Sequence, residues 1–506
     1  MENQYFQNEY QSIFSSLDRR AAGRIYKRDI IQVMEENGVL LEGLRIQQKL
    51  DEYTSEQPIQ FFEFIEIIQK NMTLFKKAAR GELVLKNFNS FSKKVSQIYE
   101  DTMQINSGAV ASYIPELKRV NPNEYAVSIC SIDSQQIHLG SVDTPFCIQS
   151  TCKPINYCLA VDEHTSDYVH QYVGREPSGR GFNELTLNSE GLPHNPMINS
   201  GGIMSCSLIQ PQLSVNERVA YVLSKWESLS GGFFPGLNQA VYLSEKETAD
   251  RNFALGYMMK EKKAFPKNVN LEDVLDFYFQ SCAIEQTTKR LSVVAATLAN
   301  SGVCPITGNR VLESSTVKNC LSLMLSCGMY DYSGEFAFNV GLPAKSGVSG
   351  VLMVVIPNVM GLAIWSPRLD LLGNSVRGVS FCKQLIENFN FHIYDSLLSQ
   401  DPKYDPRRPQ NEKKVNGVRK LFEAVRNGNI NEIRQLSSQG IDLNSKNYDF
   451  RTAVHIAATE NQVEVLQYFI EHSVVLTTKD RWGNTPLDDA KRNHNEDAVK
   501  LLLTFD

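Results

Sequence analysis

Apolar residues recur at helical spacing in residues 10–17, 30–34 and 61–68. Positions three and four apart share one helix face, so residues 1–75 are expected to form a small helical unit. Residues 76–105 read on as a helical connector. Beyond Tyr125 the period changes: residues 126–130 and 137–141 are strand-like runs separated by Asp133-Ser134-Gln135, the signature of an antiparallel hairpin. Helical patterns return at 213–226, 245–260, 271–281 and 289–300, and strand patterns at 342–348, 351–356 and 360–365. Strands, a helical insertion and strands again predict an α+β domain over residues 106–397, with an antiparallel sheet whose two parts are joined through a helical subdomain.

The flanks carry their own patterns. Residues 398–414 are polar and punctuated by proline, as in a linker. Beyond them Thr452-Ala453-Val454-His455-Ile456-Ala457 recurs 33 residues on as Thr485-Pro486-Leu487-Asp488-Asp489-Ala490, close to the ankyrin pattern and at its period. A less regular unit starts near Leu421 and runs through Gly428-Asn429. Residues 415–506 are therefore expected to stack as about three ankyrin repeats, a surface for a protein partner or for assembly and not a site of chemistry. In the first unit, counting from Asp18, glycine stands sixth (Gly23) and isoleucine eighth (Ile25) as in an EF-hand loop, but Arg20 and Ala22 stand where calcium needs oxygen ligands. An EF-hand-like pair that binds no calcium is expected; an unrelated helical hairpin fits the same spacing.

Composition narrows the partners. With 506 residues, 42% hydrophobic and 21% charged, the chain is a multidomain globular protein, and a formal charge of −6 would draw it neither to nucleic acid nor to an acidic membrane surface. The ten cysteines form no CxxC pair and the eight histidines no HxxxH, so a disulfide framework, a zinc site and a catalytic metal all lack support. The most apolar passage, residues 351–365, is short and broken at Pro357-Asn358, so no membrane span is expected. The first residues show neither a secretory signal nor an arginine-rich presequence. A cytoplasmic location is expected, with the mitochondrial matrix as the alternative.

The candidate chemistry starts at Gln149-Ser150-Thr151-Cys152-Lys153-Pro154. A serine followed three residues later by a lysine, at the start of a helix, sets a hydroxyl and an amine on one face a turn apart. They can serve as nucleophile and base if a pocket prepares the lysine. Alone the motif is weak, because most such pairs are a helix cap and a solvated lysine. Lys345-Ser346-Gly347 downstream changes the reading. In serine acyl-transfer enzymes of the penicillin-binding class the first motif opens a helix and the second lies on the adjacent strand, closing the pocket.

Longer stretches carry a closer resemblance. Ser112-Tyr113-Ile114-Pro115, residues 149–154, His194-Asn195-Pro196-Met197-Ile198-Asn199, Asp250-Arg251-Asn252-Phe253-Ala254, Asp276-Phe277-Tyr278-Phe279-Gln280, Cys327-Gly328-Met329-Tyr330-Asp331 and residues 341–347 resemble the serine-dependent glutaminases. The flanking EF-hand-like and ankyrin units look like the architecture of the kidney-type branch of that family. The resemblance implies a β-lactamase-like catalytic fold, hydrolysis of L-glutamine to L-glutamate and ammonia through a γ-glutamyl ester, no cofactor, and a homodimer or homotetramer. It makes Ser150 the nucleophile, Lys153 its base and Tyr330 a proton-transfer partner. The Ser150 and Val348 amides would form the oxyanion hole. Tyr113, Asn199, Glu245, Asn252, Tyr278 and Val348 match the positions that hold glutamine.

Residue chemistry agrees with the match. Glu245 and Asn252 stand seven apart, which on one continuous helix would turn both toward one pocket. A carboxylate there suits an α-ammonium, and amides and phenols can donate to an α-carboxylate. Without the resemblance, Glu245 would read as a solvated helix carboxylate, Asn199 as a turn residue and Tyr278 as a half-buried aromatic. The chain departs from the family at Glu184 and Thr186, where the vertebrate enzymes carry a basic residue and an aromatic in a gating loop. Phosphate activation and filament growth are therefore not carried over. Two other readings share part of the pattern: a penicillin-binding or β-lactam-hydrolysing protein, and a non-catalytic scaffold acting through its ankyrin stack.

Overall fold

The computed structural model describes residues 10–505, apart from residues 12, 16, 19–22, 42–43, 45, 113, 180–183, 398–402, 409–411 and 439–440. Contacts divide the chain into two compact units, Met1–Arg407 and Arg408–Asp506.

The first unit is built on a five-stranded antiparallel sheet. Its strands are β1 (Ala126–Ser131), β2 (Gln136–Gly140), β3 (Ala344–Gly347), β4 (Val351–Ile356) and β5 (Met360–Trp365), in the order β2-β1-β5-β4-β3. The expected hairpin is β1–β2, pairing Ala126 with Gly140. The Pro357-Asn358 breaker is the β4–β5 turn, with Asn358 in the left-handed region at φ 61°. Strands β1, β4 and β5 are buried on both faces, so they read as continuous apolar runs. Leu352, Val354 and Ile356 face one layer while Val351, Met353 and Val355 face the other.

The first of these layers holds the helices Phe88–Met103 and Val376–Asn388. Residues 88–103, expected as connector, instead join this layer, because Phe91, Val95 and Ile98 form an apolar stripe buried against the sheet, the helix Val376–Asn388 and Phe389 just beyond it. On the other face lies the helix Thr288–Ala299. Its approach is close enough that a Cβ on Gly361 of β5 would come within 2.1 Å of the Ala296 nitrogen, so this crossing admits glycine only.

The helical insertion supplies α1 (Cys152–Glu163), α2 (Asn199–Leu208), α3 (Gln239–Glu247), α4 (Asp250–Glu261), α5 (Leu271–Cys282), α6 (Thr288–Ala299) and α7 (Ser314–Cys327). The single helix expected over 245–260 is two, α3 and α4. The chain breaks at Thr248-Ala249, where the Thr248 hydroxyl donates back to the Ser244 carbonyl at 2.9 Å.

At the amino-terminal end Ile25–Tyr26 pairs antiparallel with Pro58–Ile59, joining two loops as an EF-hand pair does. The Gly23 amide donates to Asp18 at 2.7 Å. Arg20 and Ala22 lie outside the described residues. The helix Met72–Arg80 runs across residue 75, and its Lys77 meets Asp133 at 2.6 Å in the β1–β2 turn. The expected linker begins late: Tyr404 bridges to Phe389, and Lys403 meets Asp395 at 3.0 Å, so residues 403–407 are fastened to the first unit.

Among the described residues the second unit shows three helix pairs, from Glu412–Arg426 to Glu496–Leu503. His455 accepts from the Thr452 amide at 3.1 Å through Nδ1, leaving Nε2 to donate to the Asn484 carbonyl of the next repeat at 3.2 Å. Arg451 reaches Asp489 of the next repeat at 2.7 Å and Thr459 at 2.8 Å. The Arg451→Ala variant removes the nearer partner of the buried Asp489 carboxylate and leaves Arg492 on its far oxygen, 3.4 Å away. A loss of about 1–3 kcal/mol is expected, read as an earlier unfolding transition of this unit by calorimetry.

Candidate active site

Ser150 sits in a single 3-10 turn, Gln149–Thr151, that leads into α1. Gln149 is held in the left-handed region at φ 48°, a conformation that costs a non-glycine residue about 1–3 kcal/mol and is kept where the surroundings fix it. The turn points the Ser150 side chain back along α1, where the Lys153 ammonium donates to its Oγ at 2.6 Å. Lys153 is wholly buried. Its stem lies across α2, where a Cβ on Gly202 would come within 2.8 Å of the Lys153 Cε. The Asn-Ser-Gly-Gly stretch is thus a helix start shaped to admit the lysine, not a turn.

Behind Ser150 stands Tyr330, at φ 55° in the short turn after α7. Its hydroxyl donates to the Ser346 carbonyl at 3.1 Å and is also hydrogen-bonded to the Ser150 side chain. Burial raises the phenol well above its usual range. Lys345 of β3 donates to the Ser346 and Gly328 carbonyls at 2.8 and 3.2 Å and lies 4.6 Å from the Tyr330 ring centre. Burial first, and the Lys153 cation second, pull the Lys345 amine well below its ordinary value. Strand β3 lies against the Ser150 turn: a Cβ on Gly347 would stand 2.8 Å from the Ile148 carbonyl.

In front of Ser150 opens a cavity of about 240 Å³, lined by Gln149, Ser150, Asn199, Glu245, Asn252, Tyr278 and Cys282 among others. The Tyr278 hydroxyl donates to Asn199 Oδ1 at 3.2 Å, and Asn199 Nδ2 donates to Asn252 Oδ1 at 3.3 Å. The Lys153 ammonium lies 5.4 Å from the Tyr278 ring centre. Opposite them Glu245, 7% exposed, accepts from Gln149 Nε2 at 3.3 Å. Burial pushes the Glu245 carboxyl up to about 7, with the Gln149 bond and the Lys153 cation pulling the other way.

Five of the expected residues, Ser150, Asn199, Glu245, Asn252 and Tyr278, share this cavity, while Lys153 and Tyr330 flank the serine. Val348 packs with Tyr330, Ala111 and Leu369 just past β3 and lines neighbouring cavities. Tyr113 lies outside the described residues, as do residues 180–183 beside Glu184. Gln149, Arg251 and Cys282 line the wall without having been singled out; each stands beside or within a quoted stretch or element, yet only the fold turns it inward. Among the described residues no cluster of three or more His, Cys, Asp or Glu could hold a metal, and no helix is long and apolar enough to cross a membrane.

The site can place a hydroxyl nucleophile, an amine and a phenol at one end of a cavity the size of an amino acid, with a carboxylate and amides at the other. Residues 108–394 match the glutaminase family model, and residues 421–506 match ankyrin repeats in three copies. The chain belongs to the glutaminase family. It is 47% identical over 443 residues to the mitochondrial liver isoform of glutaminase from Rattus norvegicus, covering 87% of this chain and 74% of that one. To the putative glutaminase 3 of Caenorhabditis elegans it is 40% identical, covering 98% of this chain and 87% of that one. Among solved structures, the probable glutaminase ybaS matches with a TM-score of 0.58 and 32% identity over 60% of this chain and 98% of its own. Mglu in its glutamate form matches with a TM-score of 0.57 and 34% identity over 61% of this chain and 70% of its own. The α+β, β-lactamase-like domain and the ankyrin stack expected from the sequence are the folds of this glutaminase.

One glycine of the quoted stretches gives a local test. Gly328 accepts from the Ser346 amide at 3.1 Å and from Lys345, and a Cβ there would meet the Ala344 carbonyl oxygen at 1.7 Å. The Gly328→Ala variant must push β3 away from α7. A cost of about 1–3 kcal/mol is expected, seen as a lower melting temperature, together with lost activity because Tyr330 is two residues on.

Proposed function

We propose that this glutaminase works through Ser150, with Lys153 receiving the serine proton, a role it performs only as the free amine. The observation that carries the reading is the 2.6 Å contact between Lys153 Nζ and Ser150 Oγ at the end of the cavity shared by Asn199, Glu245, Asn252 and Tyr278. The Ser150 oxygen attacks the γ-amide carbon, the carbon–nitrogen bond breaks, and ammonia leaves with the proton passed through Lys153 and Tyr330. Water then cleaves the γ-glutamyl ester, releasing glutamate and restoring the hydroxyl. Charge on the amide oxygen would be met by the Ser150 and Val348 amides. Glu245 pairs with the α-ammonium, and the Tyr278–Asn199–Asn252 chain, with Tyr113, orients the α-carboxylate.

The wall chemistry sets the selectivity. A neutral side-chain amide with an α-ammonium and an α-carboxylate satisfies both ends, whereas asparagine is one methylene short of placing its amide at Ser150 when its α-groups are held. Coupled glutamate or aspartate release from L-glutamine and L-asparagine, run beside a chromogenic β-lactam, tests this. Glutamine is expected to react alone, and opening of the β-lactam without amide hydrolysis would overturn the reading. A homodimer or homotetramer follows from the same family reading, and sedimentation at assay concentration checks it. Two mammalian relatives are mitochondrial by name, which fits the matrix alternative; cytoplasmic placement rests on sequence alone, and fractionation of source cells decides.

A further inference from the structure

The ten cysteines are all buried and free, and none has a part in the reaction above. Two of them meet at the substrate cavity. Cys152 is the first residue of α1, between the Ser150 turn and Lys153, and Cys282 is the last residue of α5, one turn beyond Tyr278. Their sulfurs are 3.9 Å apart, and Cys282 forms part of the wall that Ser150, Glu245 and Tyr278 share. Cys158 and Cys320 also touch, but neither lines that cavity.

We propose that Cys152 and Cys282 are a reversible modification site, closed to a disulfide by a peroxide that enters through the glutamine cavity, and that closure shuts the enzyme off. The proposal rests on the reading of that cavity as the glutamine site. The electrostatics favour the chemistry. The hydrogen bond with the Cys282 thiol is the first cause holding the Cys152 thiol below its ordinary value, against burial, and the Lys153 cation adds to it. The same bond, with burial, raises the Cys282 thiol. Cys152, the more readily ionised of the two, thus stands next to a thiol that faces the cavity, the arrangement of an attacking and a peroxide-exposed sulfur.

The electrons balance as follows. In the form with Cys152 deprotonated, the Cys282 sulfur attacks one peroxide oxygen while its proton passes to the Cys152 sulfur. The O–O bond breaks, leaving a sulfenic acid on Cys282 and a hydroxide that takes the proton from Cys152 as water. The Cys152 thiolate then attacks the Cys282 sulfur; the S–S bond forms, the S–O bond breaks and hydroxide leaves. Two electrons pass from the sulfurs to the peroxide, and a dithiol reductant returns them. Closing 3.9 Å to a bond of about 2.05 Å draws the end of α5 onto the start of α1. Ser150 and Tyr278, which hang from those two ends, lose their spacing, and misplacement on the order of 1 Å costs up to about a hundredfold in rate.

The test treats the reduced full-length chain with hydrogen peroxide, with and without saturating L-glutamate. After catalase removes the oxidant, glutaminase activity is measured and non-reduced digests are mapped by mass spectrometry. Expected are a peptide joining residues 152 and 282, two hydrogens lighter than its parts, and a loss of activity of about tenfold or more in step with it. Dithiothreitol should reverse both, and glutamate should slow both. Cys152→Ala should keep its own starting activity under the same treatment. Absence of the linked peptide, activity loss that tracks a Cys158–Cys320 linkage instead, or linkage without loss of activity would overturn the proposal. The map needs no variant, so a poorly folding Cys152→Ala does not blunt it. Ser150→Ala should still form the linked peptide, which separates failure here from failure of the nucleophile assignment.

Discussion

Replacing Ser150 with alanine is expected to lower glutamine turnover by on the order of 10⁴-fold or more while L-glutamine still binds nearly as well as before. The substitution removes the oxygen that would form the ester. It leaves Glu245, Asn199, Asn252 and Tyr278 at the other end of the cavity unchanged, since the Gln149–Glu245, Tyr278–Asn199 and Asn199–Asn252 bonds do not run through Ser150. Loss of rate without loss of binding marks a group that acts on the reacting atoms alone. Single-turnover kinetics with isothermal titration calorimetry read both quantities. A Ser150→Ala enzyme within tenfold of the parent rate would sink the covalent route. Lys153→Met keeps most of the volume beside Gly202 but removes the amine, so it should give a comparable rate loss. If it instead left a nearly active enzyme, the proton from Ser150 would have to go elsewhere, with Tyr330 as the group already hydrogen-bonded to it.

The contrast between Ser150–Lys153 and Glu245–Asn252 shows what a linear pattern can carry. The first pair depends on one turn of local geometry, and the turn and helix start at Gln149–Thr151 and α1 reproduce it. The second pair shares a cavity for a different reason from the one its spacing suggested. Glu245 stands in the last turn of α3 and Asn252 in the first turn of α4, and at the break between them a threonine bonds back to its own helix, a choice that helical periodicity does not register. Gln149 shows the same limit: its contact with Glu245 spans 96 positions, and its left-handed backbone has no glycine to announce it. The ankyrin repeats were legible because stacking copies impose the period on the sequence itself. The covering helix Phe88–Met103 was legible as a helix but not as a layer, because its apolar stripe names no partner until the sheet and the helix Val376–Asn388 are in place.

Glu245→Gln should separate binding from stability in opposite directions. The carboxyl is almost wholly enclosed and is pushed up to about 7 from an ordinary 4.5, chiefly by burial. In the free enzyme it therefore titrates within the assay range, and only its ionised form can pair with the substrate ammonium. The parent kcat/KM is expected to fall as pH drops below about 7. In Glu245→Gln that acid limb disappears, and kcat/KM is lower throughout by the worth of a buried charge pair, about 2–5 kcal/mol. Stability runs the other way. The folded state binds this proton more tightly than the unfolded chain, so the group's contribution is fully present below about 4.5 and is lost as pH rises through about 7. Above that pH the parent carries a carboxylate that Gln149 and Lys153 compensate only in part, at a cost on the order of 3 kcal/mol, from the separation of the two values. The neutral amide of Glu245→Gln avoids this cost. Melting curves should show the variant more stable than the parent at pH 8, with the gap closing toward pH 5. A gap that widened on acidification, or a parent kcat/KM flat from pH 6 to 8, would mean that Glu245 is already ionised in the empty cavity and that the ammonium meets a charge held ready for it.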